Sequence, residues 1–243
     1  MTMTPPQILG VGTACPELYL TQEEVLQFYR RHNLIPPAQE ELYERILLQG
    51  PIRGRHFALD QPADILAETT ADRQVSRFAE KARELGAAAC RKALDQADLS
   101  PAEIGGIVVS TCTAYLCPGL TSYIAEALGL PDSVKATDVT GMGCGAAVPV
   151  LECGAGLLTR TRGRPVLCAA VEICSATHLV DDDPGLTVSN CIFGDGAAAV
   201  VLGDGTGDGL SVLDFETGLF PQYREALRYK LENGRLRNVL TRR

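Results

Sequence analysis

The segment Pro165-Val-Leu-Cys-Ala-Ala-Val-Glu-Ile173 is apolar at almost every position and only as long as a strand. A strand without a polar face must be covered on both sides, the situation of a largely parallel sheet flanked by helices. Ile-Gly-Gly-Ile-Val-Val-Ser at 104–110 has the same character. Phe-Gly-Asp-Gly-Ala-Ala-Ala-Val-Val-Leu-Gly-Asp at 193–204 reads as a strand entered through two glycines. Strand and helix signals alternate along the chain, which predicts an α/β fold.

The remaining elements follow from periodicity and capping. A first strand is expected at 8–14. A helix follows over 21–32, with Thr21 as N-cap and Glu24 completing a capping box. A second helix runs from Pro36-Pro37 to about Leu48, and 51–59 reads as a turn and a short strand. Val75, Phe78, Ala82, Leu85, Ala89 and Ala93, spaced by threes and fours, predict a long amphipathic helix from about Gln74 to Ala97. Ser100-Pro-Ala-Glu103 is a capping box with proline in the first turn. A helix is expected at 122–130 and a strand at 134–141. Beyond 173 the reading is a loop at 174–190, a turn at 203–209, a strand at 211–218, and a hairpin about Asn233-Gly234. These elements group into one domain over 1–220 and a hairpin over 221–243.

Composition narrows the function classes. Net charge is −8, and no basic cluster is long enough to track a phosphate backbone, so nucleic acid is not an expected partner. No apolar run reaches the length of a membrane span. The N-terminal MTMTPPQILG lacks the pattern of a signal peptide, so a cytoplasmic location is expected. Nine cysteines, an odd count, argue against a disulfide framework, and most are expected to be small buried side chains. The spacings Cys112/Cys117 and Cys168/Cys174 are too wide for zinc pairs. Gly10-Val-Gly12 lacks the third glycine of a dinucleotide fingerprint. No metal and no resident cofactor are expected.

One cysteine differs from the rest. In Asp138-Val-Thr-Gly-Met-Gly-Cys144-Gly-Ala-Ala, a strand gives way to a helix at Cys144, and glycines at 141, 143 and 145 permit the bend. A sulfur there sits at the positive end of a helix dipole, which favours the nucleophilic thiolate. Backbone N–H groups at the bend form a candidate oxyanion hole. The following helix is small and apolar nearly all round, which predicts burial and places the thiol at the floor of a pocket. Taken singly, any of these cysteines is more often a packing residue; the strand–glycine–cysteine–glycine–helix context reverses that for Cys144.

Gly-Met-Gly-Cys144-Gly-Ala-Ala resembles the nucleophile motif of chalcone and stilbene synthases and their bacterial relatives, the type III polyketide synthases. Ile52-Arg-Gly-Arg-His-Phe57 resembles that family's basic stretch. Ser110-Thr-Cys-Thr-Ala-Tyr-Leu-Cys-Pro-Gly119 resembles its substrate-pocket loop, and Phe193-Gly-Asp-Gly-Ala-Ala-Ala its gatekeeper motif. The resemblance implies the N-terminal half of a thiolase-like fold, a layered and mostly parallel mixed sheet with helices on both faces. It implies an acyltransferase that takes an acyl-CoA starter onto Cys144 and condenses it with malonyl-CoA. Phe193 would shape the entrance between CoA tunnel and cavity. Cys112, Thr113 and Thr177 would line the cavity, Cys117 would reach across a homodimer interface, and Arg53 would contact CoA phosphate. Without the resemblance, Phe193, Cys112 and Cys117 read as packing residues and Arg53 as a solvated charge.

The family's catalytic histidine and asparagine come from its C-terminal half. None of His32, His56 and His178 lies in a segment resembling that motif, and each reads as structural or exposed. The chain therefore reads as a half that needs a partner C-terminal half, with an apolar face left for it. Two other readings stand beside the polyketide one. One is a ketoacyl synthase of the third class using acyl-carrier protein; the other is an inactive half that only assembles with another subunit.

Overall fold

The computed structural model describes residues 5–67, 70–205 and 209–241. In chain order the elements begin β1 (Pro6–Ala14), β2 (Leu18–Thr21), α1 (Gln22–Arg31), α2 (Glu40–Gln49), β3 (Gly54–Phe57), α3 (Asp64–Ala67) and α4 (Ala71–Gln96). They continue β4 (Gly106–Thr111), α5 (Leu120–Leu128), β5 (Lys135–Thr140), α6 (Ala147–Leu158), β6 (Val166–Ile173) and α7 (Pro184–Ile192). The last are β7 (Asp195–Asp204), β8 (Leu210–Ser211), β9 (Leu227–Glu232) and β10 (Arg235–Leu240). Two compact units result. One comprises the chain up to Ala14 with Ala79–Glu172 and Gly196–Gly218; the other comprises Cys15–Phe78, Ile173–Asp195 and the chain from Leu219.

The first unit holds a mixed six-stranded sheet in the order β5-β4-β6-β7-β1-β8. β4 pairs parallel with both β5 and β6, whereas β1 pairs antiparallel with β7 and β8. β4 is buried along its whole length and β6 at six of eight positions, as their unbroken apolar sequences require. Alternate β6 side chains face opposite layers. Val166 and Cys168 pack with Val108, Leu202 and the α6 residues Val150 and Leu158. Val171 instead lies under Gly86 of α4, beside Ile124 of α5. Helices thus cover both faces.

α4 lies directly on β1. A Cβ at Gly12 would sit 2.1 Å from the Ala89 carbonyl oxygen and 2.6 Å from the Ala93 nitrogen, both backbone atoms that cannot give way. Gly12→Ala is therefore expected to destabilise the chain by about 3 kcal/mol, the upper range for overpacking. Urea unfolding followed by circular dichroism would show it; a loss below about 1 kcal/mol would mean α4 can slide off β1.

In the second unit α1, α2 and α7 share a core of Val25, Leu26, Tyr29, Tyr43, Leu47 and Cys191. The Thr21–Glu24 capping box that starts α1 forms as expected, with both reciprocal hydrogen bonds present. So does the one at Ser100 and Glu103. The β9–β10 hairpin turns through Asn233 (φ 52°) and Gly234 (φ 77°), the paired left-handed residues that a two-residue turn demands.

Several expectations need correction. Residues 184–190 of the loop expected at 174–190 belong instead to α7, Pro184–Ile192. Its start was signalled by Asp183, whose carboxylate accepts from the Gly185 N–H, and by Pro184 in the first turn. Its β-branched and polar composition disguised it, and burial against α2 and β10 overrides that composition. The strand expected at 211–218 shrinks to Leu210–Ser211. It pairs with β1 at Gln7 and Ile8, and Val212 still donates to the Pro6 carbonyl. Pro5 and Pro6 have no N–H to continue the ladder. Within α4 the buried stripe runs through Gln74, 5% exposed, rather than Val75, 44% exposed. Gln74 accepts from Arg235 Nε at 3.0 Å, which satisfies a buried amide. Part of the turn expected at 203–209, Thr206–Asp208, falls outside the described residues.

The nine cysteines are free, but only Cys90, Cys168 and Cys191 are buried. Cys15, Cys117, Cys144 and Cys153 are exposed, so most are not core residues. Large apolar side chains stand in solvent in both units, among them Leu210 and Leu213 in the first and Leu219 and Phe220 in the second. No helix among the described residues is long and apolar enough to cross a membrane.

Candidate active site

The turn that holds Cys144 is built as its glycines anticipate. β5 ends at Thr140, Gly141 (φ 76°) and Gly143 (φ 65°) take left-handed backbone, and Gly143–Gly145 form a single 3-10 turn before α6. A β-branched or bulky residue at either position would be strained. A Cβ built on Gly141, Gly143 or Gly145 meets nothing within 4 Å, so the turn is open on its outer side.

Cys144 is exposed, and here the expected pocket floor is corrected. α6 buries Val150, Gly154 and Leu158, while Ala147, Val148, Glu152, Cys153 and Gly156 face outward. One apolar face has a sheet to pack on. The opposite face has no covering layer among the described residues of this unit, so an all-round apolar sequence is only half buried.

Beneath the turn lies a carboxylate that the sequence reading passed over. Glu172, near the end of β6, accepts from the Cys112 N–H at 2.9 and 3.1 Å and from the Thr113 hydroxyl at 2.9 Å. Burial pushes its carboxyl above the usual range, while hydrogen bonds from Cys112, Thr113 and Thr111 pull the other way. The signal was present: Glu172 is the one charged residue in an otherwise apolar strand. Burial first, and then the Glu172 charge, push the Cys112 thiol up to about 11; a hydrogen bond from the Gly143 backbone opposes them. Glu172, Cys112 and Thr113 are thereby joined to the turn bearing Cys144.

Cys117 precedes a cis peptide at Pro118 and lines an open recess of about 240 Å³ with Tyr115 and Asp138. Asp138 fixes the start of α5 by accepting from the Thr121 N–H at 3.1 Å and from its hydroxyl. In the second unit Phe193 and Thr177 line a common cavity. Phe193 is half-buried, and Thr177 is buried with its hydroxyl donating to the Cys174 carbonyl at 2.9 Å. Arg53 is exposed, and its carbonyl accepts from the Gln22 N–H at 3.0 Å. Among the described residues no group of three or more His, Cys, Asp or Glu could hold a metal ion.

The histidines are structural or exposed. His32 is exposed, and His56 holds the Pro16 carbonyl through Nδ1 at 2.7 Å. His178 Nε2 lies 2.7 Å from the Tyr29 hydroxyl. Burial, followed by Arg55, Arg235 and Arg77, lowers the His178 pKa to about 4. The folded state therefore resists a proton that the unfolded chain accepts near pH 6.5. As pH falls from 6.5 to 4 the unfolded state takes up that proton first, and about 3 kcal/mol of stability drains away. His178→Gln is expected to flatten this part of the profile, measured as urea midpoints between pH 4 and 7. An unchanged slope would place the titration elsewhere.

A family model described as FAE1/type III polyketide synthase-like protein matches residues 14–209. The chain is 30% identical over 234 residues to a 3,5-dihydroxyphenylacetyl-CoA synthase of Streptomyces toyocaensis, covering 92% of this chain and 58% of that protein. Among solved structures it resembles PKS-I of the brown alga Ectocarpus siliculosus with a TM-score of 0.86 and 27% identity, covering 99% of this chain and 68% of that one. It also resembles the C-terminal type III polyketide synthase domain of Steely1 from Dictyostelium, with a TM-score of 0.87 and 25% identity over 98% and 68% of the two chains. The chain spans little more than half the length of the curated relatives it matches. With the glycine-flanked cysteine turn, the mixed sheet covered on both faces and the match over most of its length, the chain belongs to the FAE1/type III polyketide synthase-like family.

Proposed function

We propose that the chain is the acyl-loading half of a polyketide-forming condensing enzyme, with Cys144 as nucleophile. One observation carries the reading: Cys144 stands exposed on an open glycine turn between β5 and α6, joined through Gly143 to Cys112 and the half-buried Glu172. The Cys144 sulfur attacks the carbonyl carbon of an acyl-CoA thioester, and coenzyme A leaves as its thiol. Malonyl-CoA then loses carbon dioxide, and the resulting enolate carbon attacks the Cys144 thioester. A carbon–carbon bond forms and the Cys144 thiol is released. The enolate oxygen needs hydrogen-bond donors and the thiolate needs a base. In the family these are a histidine and an asparagine of the C-terminal half, and His32, His56 and His178 do not replace them.

Condensation thus requires a C-terminal half, supplied in the same chain or by a partner. Leu213 in the first unit, and separately Leu219 and Phe220 in the second, are exposed apolar side chains of the kind such a half would cover. Arg53, which is exposed, would contact a CoA phosphate. Cys117, exposed on its recess, is the residue to meet the second copy in a homodimer.

Incubation of the chain with acyl-CoA and with acyl-carrier protein, followed by peptide mass spectrometry, tests loading. A thioester on Cys144 from CoA is expected. Loading only from the carrier protein would favour the ketoacyl synthase reading, and no adduct on a folded chain would leave an assembly role. Condensation product is expected only after a C-terminal half is added; product from the 243-residue chain alone would refute that requirement.

A further inference from the structure

Cys112 is a second thiol at the Cys144 turn, and acyl loading gives it nothing to do. It directly follows β4, and β4 and β5 pair in parallel up to Thr111 and Thr140. The two strands thus end side by side, one at Cys112 and the other at the glycine turn that carries Cys144. Cys112 is half-buried and Cys144 is exposed. The Cys112 sulfur has two polar partners: its S–H donates to the Glu172 carboxylate, and it accepts from the Gly143 N–H. Glu172 also holds the Cys112 N–H at 2.9 and 3.1 Å and receives the Thr113 hydroxyl at 2.9 Å. One carboxylate therefore fixes both the backbone and the thiol of Cys112. A packing cysteine looks different: Cys90 is 0% exposed.

The two thiols are within reach of each other. Gly143, which donates to the Cys112 sulfur, is bonded to Cys144, and consecutive Cα atoms lie about 3.8 Å apart. Cys144 is close enough for its charge to act on the Cys112 thiol. A disulfide asks for Cα atoms roughly 4.4–6.8 Å apart. The turn has room to adopt that spacing, because a Cβ built on Gly141, Gly143 or Gly145 meets nothing within 4 Å. Exposure decides which sulfur is oxidised first. An accessible thiolate is taken by peroxides to a sulfenic acid and then irreversibly to a sulfinic acid, unless a neighbouring thiol intercepts it.

We propose that Cys112 is the resolving thiol of Cys144, so that oxidation by a hydroperoxide ends in a reversible Cys112–Cys144 disulfide. The Cys144 sulfur attacks the terminal oxygen of the hydroperoxide and the O–O bond breaks. The alkoxide or hydroxide that leaves takes the Cys144 proton, and Cys144 becomes a sulfenic acid. The Cys112 sulfur then attacks the Cys144 sulfur and the S–O bond breaks. Glu172 accepts the Cys112 proton and passes it to the departing hydroxide, which leaves as water. In sum, two thiols and one hydroperoxide give one disulfide, one alcohol (water, from hydrogen peroxide) and one water. The disulfide closes Cys144 to acyl-CoA, and a reducing thiol reopens it. That it protects a nucleophile rests on Cys144 being the acyl acceptor; formation of the disulfide does not.

The wild-type chain is treated with a small excess of hydrogen peroxide, alkylated, and digested without reductant for peptide mass spectrometry. A peptide pair joined through Cys112 and Cys144 is expected, and it disappears after dithiothreitol. Cys144 found as sulfinic acid beside a free Cys112, or joined to another cysteine such as Cys117 or Cys153, would overturn the proposal. At the same dose Cys112→Ala should carry Cys144 on to the sulfinic acid, with a loss of free Cys144 thiol that dithiothreitol does not restore. Full recovery of that thiol in the variant would sink the assignment as well. The wild-type peptide map decides the matter even where the variant does not fold. Acyl-CoA loading is measured on the reduced wild type alongside: a disulfide without loading would fail the acyl-acceptor reading alone, and loading without a disulfide would fail this one alone.

Discussion

Cys144→Ala is expected to abolish acylation by acyl-CoA while leaving the fold within about 0.5 kcal/mol of wild type, as for an ordinary surface substitution. The residue is exposed and sits in an open turn whose backbone is set by Gly141 and Gly143, so removing the sulfur leaves no buried void. The informative comparison is Cys112→Ala. Cys112 lies next to the same turn, but its thiol is held up at about 11 and is protonated near neutral pH. The thiolate is the nucleophile, so Cys112 does not compete and its variant should still load. Intact-mass spectra of the two variants with acyl-CoA give the answer. An adduct surviving in Cys144→Ala would move the nucleophile elsewhere.

Asp195→Ala is expected to cost about 4 kcal/mol, the scale of breaking a buried charged network. One carboxylate receives the Ala58 N–H, the Ser175 N–H and the Ser175 hydroxyl. Burial pushes its carboxyl upward, and those same donors, with Arg77, hold it down. Removing it strands three donors in the interior. Asp195→Asn should lose less, because its carbonyl oxygen still accepts from part of the set while its amide N–H₂ clashes with the remainder. Urea midpoints for the two variants report the order, and an Ala variant within 1 kcal/mol of wild type would show that water replaces the carboxylate. The aspartate of the Phe-Gly-Asp-Gly segment thus pins β3's exit to the turn after β6.

The apolar strands at 104–110 and 165–173, the capping boxes at Thr21 and Ser100, the Asn233-Gly234 hairpin and the glycine turn around Cys144 were all legible in the sequence. Each is set by local chemistry: a side-chain period, a hydroxyl three residues before a carboxylate, or a glycine where φ must be positive. Helix α7 showed only its Asp183-Pro184 start; its body was not legible, because those residues favour strand or loop and burial between α2 and β10 makes them helical. Nor was the exposure of Cys144, since an apolar helix sequence states a preference for burial without stating whether a second surface is there to provide it. Glu172 and Arg55 lie between these cases. Glu172 is half-buried in an apolar strand and Arg55 is buried in a polar one, and the partners of both come from sequence-distant segments: Cys112 and Thr113 for one, Gln22, Asn190 and Phe193 for the other. A sequence displays contacts between near neighbours through their spacing. Contacts between distant segments depend on how strands and helices stack, and only the folded chain decides them.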